Sequence, residues 1–288
     1  MRSVLSFLVL FLASAGAVFA QSVPPAIFTD PPADREHPAA MTVLHIPSHG
    51  LLVNGLLYSP AGAGPHPTLV ICHGLPGNEK NLDLAQAVRR AGWNAVTFNY
   101  RGSWGSPGSF RFAQNPQDAD AVLAYLRDPS NAAKLGIDPK RIAIAGHSMG
   151  GWVVAHTAAH DHALSGAILI SMADMGLTGG RPRAKAVAAM ADDMETLADV
   201  TAESMVDELV AHGKEFVVAG TAAGLAQIPV LAITANDHLA SQTDALVAAI
   251  KAKGGNRVTA VHLDTDHSYS DRRIALESIV ITWLSGLN

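Results

Sequence analysis

From residue 41 onward the chain alternates between two apolar rhythms. Residues 41–46 and 51–58 interleave apolar and polar side chains about a Ser48-His49-Gly50 turn, the pattern of two antiparallel strands. Short apolar runs follow at 68–72, 95–99, 141–145, 167–171 and 229–234, and 257–263 alternates again. Between them, 82–91, 118–127, 149–159, 239–252 and 274–284 carry helical spacing. Strand-then-helix units repeated in this way predict an α/β fold, a mostly parallel, doubly wound sheet with helices on both faces. Functional groups on such a sheet gather at the carboxyl ends of the strands.

One stretch interrupts the rhythm. Residues 171–228 hold no clear strand and are rich in Ala, Met, Asp and Glu, with helical composition at 184–194 and 202–212. An insertion of this length at the active-site end of a sheet predicts a helical cap over the pocket. The alternative is a packed helical extension remote from the site. Residues 21–40 are Pro-rich and aperiodic and predict an extended arm. Residues 1–20 combine Arg2, an apolar run over 4–12 and the small-residue sites Ala15-Gly16-Ala17 and Val18-Phe19-Ala20. They predict a signal peptide cleaved after Ala17 or Ala20, hence an exported protein, periplasmic or secreted, with no stable membrane insertion afterwards. The alternative is a retained anchor, for which the apolar run is short.

Composition adds limits. With 288 residues, 49% of them hydrophobic, the chain can bury one large core, so 41–288 is expected to be a single domain. The net charge of −5 and the absence of a Lys/Arg cluster argue against a nucleic-acid partner. Cys72 is the only cysteine, which excludes an internal disulfide; at the end of an apolar run it reads as a buried, unreactive thiol.

The candidate chemistry lies in Gly146-His147-Ser148-Met149-Gly150. About one chain of this length in ten carries Gly-x-Ser-x-Gly by chance, given the usual abundance of glycine and serine. Here the string follows an apolar strand and precedes a helical run, as a nucleophile elbow requires. A serine nucleophile needs a base, and the base needs an orienting carboxylate. His267 lies just past the last strand, and Asp237 follows the strand at 229–234, so Ser148, Asp237 and His267 come in the order expected of this elbow. His262 is a rival base within the strand, and Asp264 and Asp266 are rival carboxylates beside His267. Two donors are needed for the oxyanion: the Met149 N–H, directly after the nucleophile, and the Leu75 N–H in the His73-Gly74-Leu75-Pro76-Gly77 loop, where Pro76 cannot donate.

His73-Gly74, the Gly-His-Ser-Met-Gly-Gly elbow, Asp237 and His267, in that order, resemble the α/β-hydrolase superfamily over about residues 41–287. Asn99-Tyr100-Arg101-Gly102 further resembles a loop of the prolyl-oligopeptidase-like and dienelactone-hydrolase-like members. In those relatives the loop sits near the active site, which implies that Trp104 lines the acyl or alcohol pocket and that Arg101 braces the turn. The chain departs from both groups: it has no room for a propeller domain, and it has Ser148 where dienelactone hydrolases use cysteine. The resemblance therefore implies a carboxylic ester hydrolase acting through an acyl-enzyme on a small-molecule ester, with no cofactor and no metal. A peptidase of the prolyl-oligopeptidase-like type and a non-catalytic binding protein are the alternatives. His156, His160 and His162 have a spacing that can bind zinc, but a His-Glu-x-x-His glutamate is missing, and a solvated helix end accounts for them.

Overall fold

Both faces of the central strands are covered, and this is why they read as unbroken apolar runs. In the computed structural model, which describes residues 23–287, eight strands form one sheet. They are β1 (Ala40–Ser48), β2 (Leu51–Ser59), β3 (His66–Cys72), β4 (Asn94–Phe98), β5 (Ile137–His147), β6 (Gly166–Ile170), β7 (Val230–Thr234) and β8 (Val258–His262). Their order is β1-β2-β4-β3-β5-β6-β7-β8, with β1 and β2 antiparallel to their neighbours and the rest parallel. The expected signal peptide at 1–20 lies outside the described residues. No helix among the described residues is long and apolar enough to cross a membrane.

Eleven α-helices are described, besides two short 3-10 turns at Pro25–Ile27 and Val218–Thr221: α1 (Leu82–Arg90), α2 (Gln114–Arg127), α3 (Pro129–Leu135), α4 (Met149–Ala158), α5 (Met175–Gly179), α6 (Arg183–Ala191), α7 (Ala202–Ala211), α8 (Gly213–Phe216), α9 (Ala222–Leu225), α10 (Ala240–Ala252) and α11 (Arg273–Ser285). Strand side chains divide between the two faces with period two. Leu69, Ile71, Ala143, Ala145, Ile168 and Ile170 pack with α1 and α11, whereas Val70, Cys72, Ile142, Ile144 and Leu169 pack with α2 and α4.

Some elements differ from their sequence pattern. α2 starts at Gln114, four residues before its apolar spacing becomes regular, because Pro116 is tolerated in a first turn. α3 carries too little apolar periodicity to be read. Its start is set by Asp128, whose carboxylate accepts the Ser130 and Asn131 N–H groups at 3.0 Å, with Pro129 at the first helical position.

The insertion at 171–228 contains α5 to α9 and leans on the loop after β4. Trp104 N donates to Thr196 O at 3.0 Å, Phe110 N to Ala198 O at 3.0 Å, and Ala198 N to Gly102 O at 2.8 Å. That loop is fixed from below by a buried ion pair. Arg101 Nε meets Asp118 Oδ1 at 2.6 Å, the Arg101 N–H donates to Asp118 Oδ2 at 2.9 Å, and Ser48 Oγ donates to Asp118 Oδ1 at 2.5 Å. Arg101 thus braces the turn, as its motif implied. Removing one partner of a buried pair strands the other charge. Asp118→Ala is expected to lower the unfolding free energy by about 3–5 kcal/mol, with Arg101→Met/Asp118→Leu recovering much of the loss; urea unfolding of wild type and the two variants checks this.

Candidate active site

The strand order reverses at β3: the chain moves outward to β4, then returns to place β5 on the other side. Crevices at such switch points are where open α/β sheets bind ligands. The ends of β3 and β5 carry His73-Gly74 and the elbow.

Close backbone contact makes the elbow. A Cβ on Gly146 would lie 2.0 Å from Gly150 O, and one on Gly150 would lie 2.1 Å from Cys72 O. Ser148 takes φ 57° and ψ −121°, a strained conformation for a side chain with a Cβ. Its N–H donates to Ile170 O at 2.9 Å, and its carbonyl accepts from Gly151, Trp152 and Ala173. The turn delivers the chain into α4, whose first N–H is that of Met149 and has no intrahelical acceptor. The loop after β3 lies over the elbow, with the Cβ position of Gly74 3.1 Å from Ser148 Cβ. Leu75 follows in that loop, and neither its N–H nor that of Met149 donates to another backbone group among the described residues. His73 shapes the loop by donating from Nδ1 to Gly74 O at 2.8 Å.

His267 and Asp237 come together from the ends of β8 and β7. His267 Nδ1 lies 2.8 Å from Asp237 Oδ2, and the carboxylate is only 3% exposed. Burial raises the Asp237 pKa, but bonds from His267, the Ser171 hydroxyl and the Leu239 N–H outweigh it and bring the carboxyl down to about 2. The rival carboxylates face elsewhere: Asp264 accepts from Asn236, and Asp266 accepts the Ser270 N–H. His262 is tied to Thr234 and Asn236. The pair joins the elbow through His147, whose Nε2 donates to His267 O at 2.8 Å and whose ring centroid lies 4.5 Å from that of His267. Burial, and then the neighbouring His267, push His147 down to about 4, so it is neutral near pH 7.

Trp104 touches the loop after β3. Its Nε1 donates to Pro76 O at 2.7 Å, and Lys80 Nζ sits 3.9 Å from its ring centroid. Burial brings the Lys80 ammonium down to about 8.

Sequence reasoning missed Tyr269, a fully buried residue at φ 57°, whose hydroxyl reaches Ser171 Oγ at 2.9 Å and donates to Ile233 O at 3.2 Å. It also missed Ser171, which follows β6, bonds to Tyr269 and helps to hold the Asp237 pKa down. Their polarity at strand ends was a signal, but no motif marks it. The three helix-end histidines diverge, with His156 on Phe216 O, His160 on Asp120 and His162 on Ala159 O. Cys72 is buried, its thiol pushed up to about 12 by burial. The large groove of about 930 Å³ between β8 and α11, lined by Val261, Leu263, Ile274 and Trp283 among others, is apart from this cluster; Ser148, Asp237 and His267 do not line it.

A serine on a tight strand-to-helix turn at a switch point, with a carboxylate–histidine pair arriving from later strands, is the architecture of the α/β-hydrolase fold. A model of the Alpha/beta hydrolase family matches residues 69–276, and the chain belongs to that family. The quorum-quenching protein AidA of Acinetobacter baumannii is 31% identical over 137 residues, 46% of this chain and 43% of that protein. An uncharacterized protein of Mycobacterium tuberculosis is 30% identical over 121 residues, 42% of this chain and 41% of that one. The chain thus spans less than half the length of these curated relatives. Among solved structures, an esterase from Pyrobaculum calidifontis matches with a TM-score of 0.67 at 22% identity, covering 88% of each chain. The acylaminoacyl peptidase of Pyrococcus horikoshii matches with a TM-score of 0.66 at 18% identity, over 86% of this chain and 41% of that one. At these identities the likeness is one of fold. The family match supports a hydrolase.

Two outcomes follow from the geometry. Gly150→Ala is expected to cost more than about 3 kcal/mol, because its Cβ meets backbone, whereas Gly220→Ala, with nothing within 4 Å, should stay within about 1 kcal/mol of wild type; thermal melts compare them. The depressed Asp237 pKa contributes stability that is complete above its ordinary 3.8 and is lost as pH falls through about 2. The stability gap between wild type and Asp237→Asn should therefore be constant above about pH 5 and shrink between about pH 4 and pH 2, read by urea unfolding at each pH.

Proposed function

We propose that the chain hydrolyses carboxylic esters through Ser148, His267 and Asp237. The hydrogen bond from His267 to a buried Asp237, with His267 joined through His147 to the glycine-flanked turn that holds Ser148 at φ 57°, is the observation that carries this reading. Asp237 holds the Nδ1 proton of His267, leaving Nε2 as the base. The Ser148 proton passes to Nε2 as Oγ bonds to the ester carbonyl carbon. The Met149 and Leu75 N–H groups receive the oxyanion. As the intermediate collapses, the C–O bond to the alcohol breaks and the His267 proton goes to the leaving alkoxide. Water, deprotonated by His267, then attacks the acyl-enzyme; the acid departs and Ser148 recovers its proton. The chemistry draws on side chains and backbone alone. The apolar, cationic pattern at 1–20 supports action after export, in the periplasm or outside the cell.

A fluorophosphonate probe is expected to label wild type and not Ser148→Ala; labelling that persists in folded Ser148→Ala overturns the nucleophile. On a 4-nitrophenyl short-chain ester, Ser148→Ala should lose about 10⁴- to 10⁶-fold in kcat and Asp237→Asn about 10⁴-fold. The acylaminoacyl peptidase neighbour motivates a second comparison: turnover of aminoacyl amides well above that of aryl esters would favour a peptidase.

A further inference from the structure

Lys80 is a cation without a counter-ion beside the oxyanion loop. Its Nζ donates to Asn99 Oδ1 at 3.1 Å and lies over the Trp104 ring at 3.9 Å, yet no carboxylate pairs with it among the described residues. The adjacent acid is engaged elsewhere: Glu79 accepts the Asn81 N–H and lies 3.9 Å from Arg273. Lys80 is half-buried, and an ammonium carries three donors, of which Asn99 takes one and the indole face occupies another.

The position is tied to the reacting centre by short contacts. The Gly74 Cβ position is 3.1 Å from Ser148 Cβ, Pro76 O accepts Trp104 Nε1, and the Gly77 Cβ position is 2.9 Å from that same Nε1. Gly77, at φ 100°, is where the loop folds onto Trp104. Trp104 is itself held at φ 48° between Asn99 Nδ2, which donates to its carbonyl, and Thr196 O, which accepts its N–H. The ammonium is therefore fixed one side chain away from the loop that receives the oxyanion, on a chain whose net charge is −5.

We propose that Lys80 forms an anion-binding subsite, so that the esters preferred by this enzyme carry a carboxylate at some distance from the scissile bond. This rests on the ester-hydrolase reading of Ser148. The fixed ammonium supplies a charge-assisted hydrogen bond to the substrate carboxylate, and Trp104 supplies the apolar wall for the carbons between.

Two matched pairs test it on the purified protein. In the first, the 4-nitrophenyl monoester of adipic acid is compared with 4-nitrophenyl hexanoate, which puts the charge on the acyl side. In the second, 4-carboxyphenyl butyrate is compared with phenyl butyrate, which puts it on the alcohol side. Wild type is expected to favour the charged member of at least one pair in kcat/KM. Lys80→Met should lower that ratio by about 10- to 100-fold, chiefly through KM, and Lys80→Arg should keep most of it. If Lys80→Met does not fold, the wild-type preference itself must fall as NaCl rises from about 0.05 to about 0.5 M. Indifference of wild type to charge in both pairs, or an unchanged ratio in folded Lys80→Met, overturns the subsite while leaving the esterase reading intact. No turnover of any of the four esters by folded wild type overturns the ester reading and the subsite with it.

Discussion

The architecture of the site depends on one close approach between backbones. At Gly150, α4 passes so near the end of β3 that the Cys72 carbonyl occupies the space a side chain would need. Gly146 meets Gly150 in the same way within the turn. With both contacts made, the residue between strand and helix has little freedom, and Ser148 takes a positive φ that serine ordinarily avoids. The strain is sustained because the surroundings over-determine it: the Ser148 N–H is bound by Ile170 O, and its carbonyl by three N–H groups. The same approach lays the N-terminus of α4 against the loop after β3, so the candidate nucleophile and the two candidate oxyanion donors are set by one packing event.

The acid–histidine pair is built separately and joined late. Tyr269, packed among the α1 and α11 side chains, ties the loop after β8 to the ends of β6 and β7. His147 then links that loop to the elbow through the His267 carbonyl. Its depressed pKa matters to this role. A neutral imidazole can donate one hydrogen bond without placing a positive charge against His267.

Features governed by periodicity or by an obligatory residue type were legible in the sequence. The buried parallel strands, the helices on either face and the glycines of the elbow belong to this group, because each repeats or leaves no substitute. Asp237 was legible through its position after a strand, and the structure separates it from Asp264 and Asp266, which sequence adjacency could not do. What escaped was cross-strand support. Ser171, Tyr269 and Lys80 act through partners roughly 20 to 100 residues away in sequence, and no local pattern encodes such contacts. α3 escaped for a different reason: at seven residues it is stabilised by its cap more than by an apolar face.

The Arg101–Asp118 pair shows how the loop after β4 joins the insertion to the site. A buried ion pair adds little net stability over an apolar replacement, since desolvation offsets most of its attraction. Its value here is positional. Asp118 accepts the Arg101 side chain, the Arg101 N–H and Ser48 Oγ together, so the loop has one seat on α2. From that seat Trp104 reaches Pro76 on one side and Thr196 on the other. A change in the insertion near 194–199 can thereby reach the loop after β3, through Trp104 and through Thr196 Oγ1, which donates to Pro76 O at 3.4 Å. This is a route by which substrate preference can change while the elbow, fixed by its own glycine contacts, stays as it is.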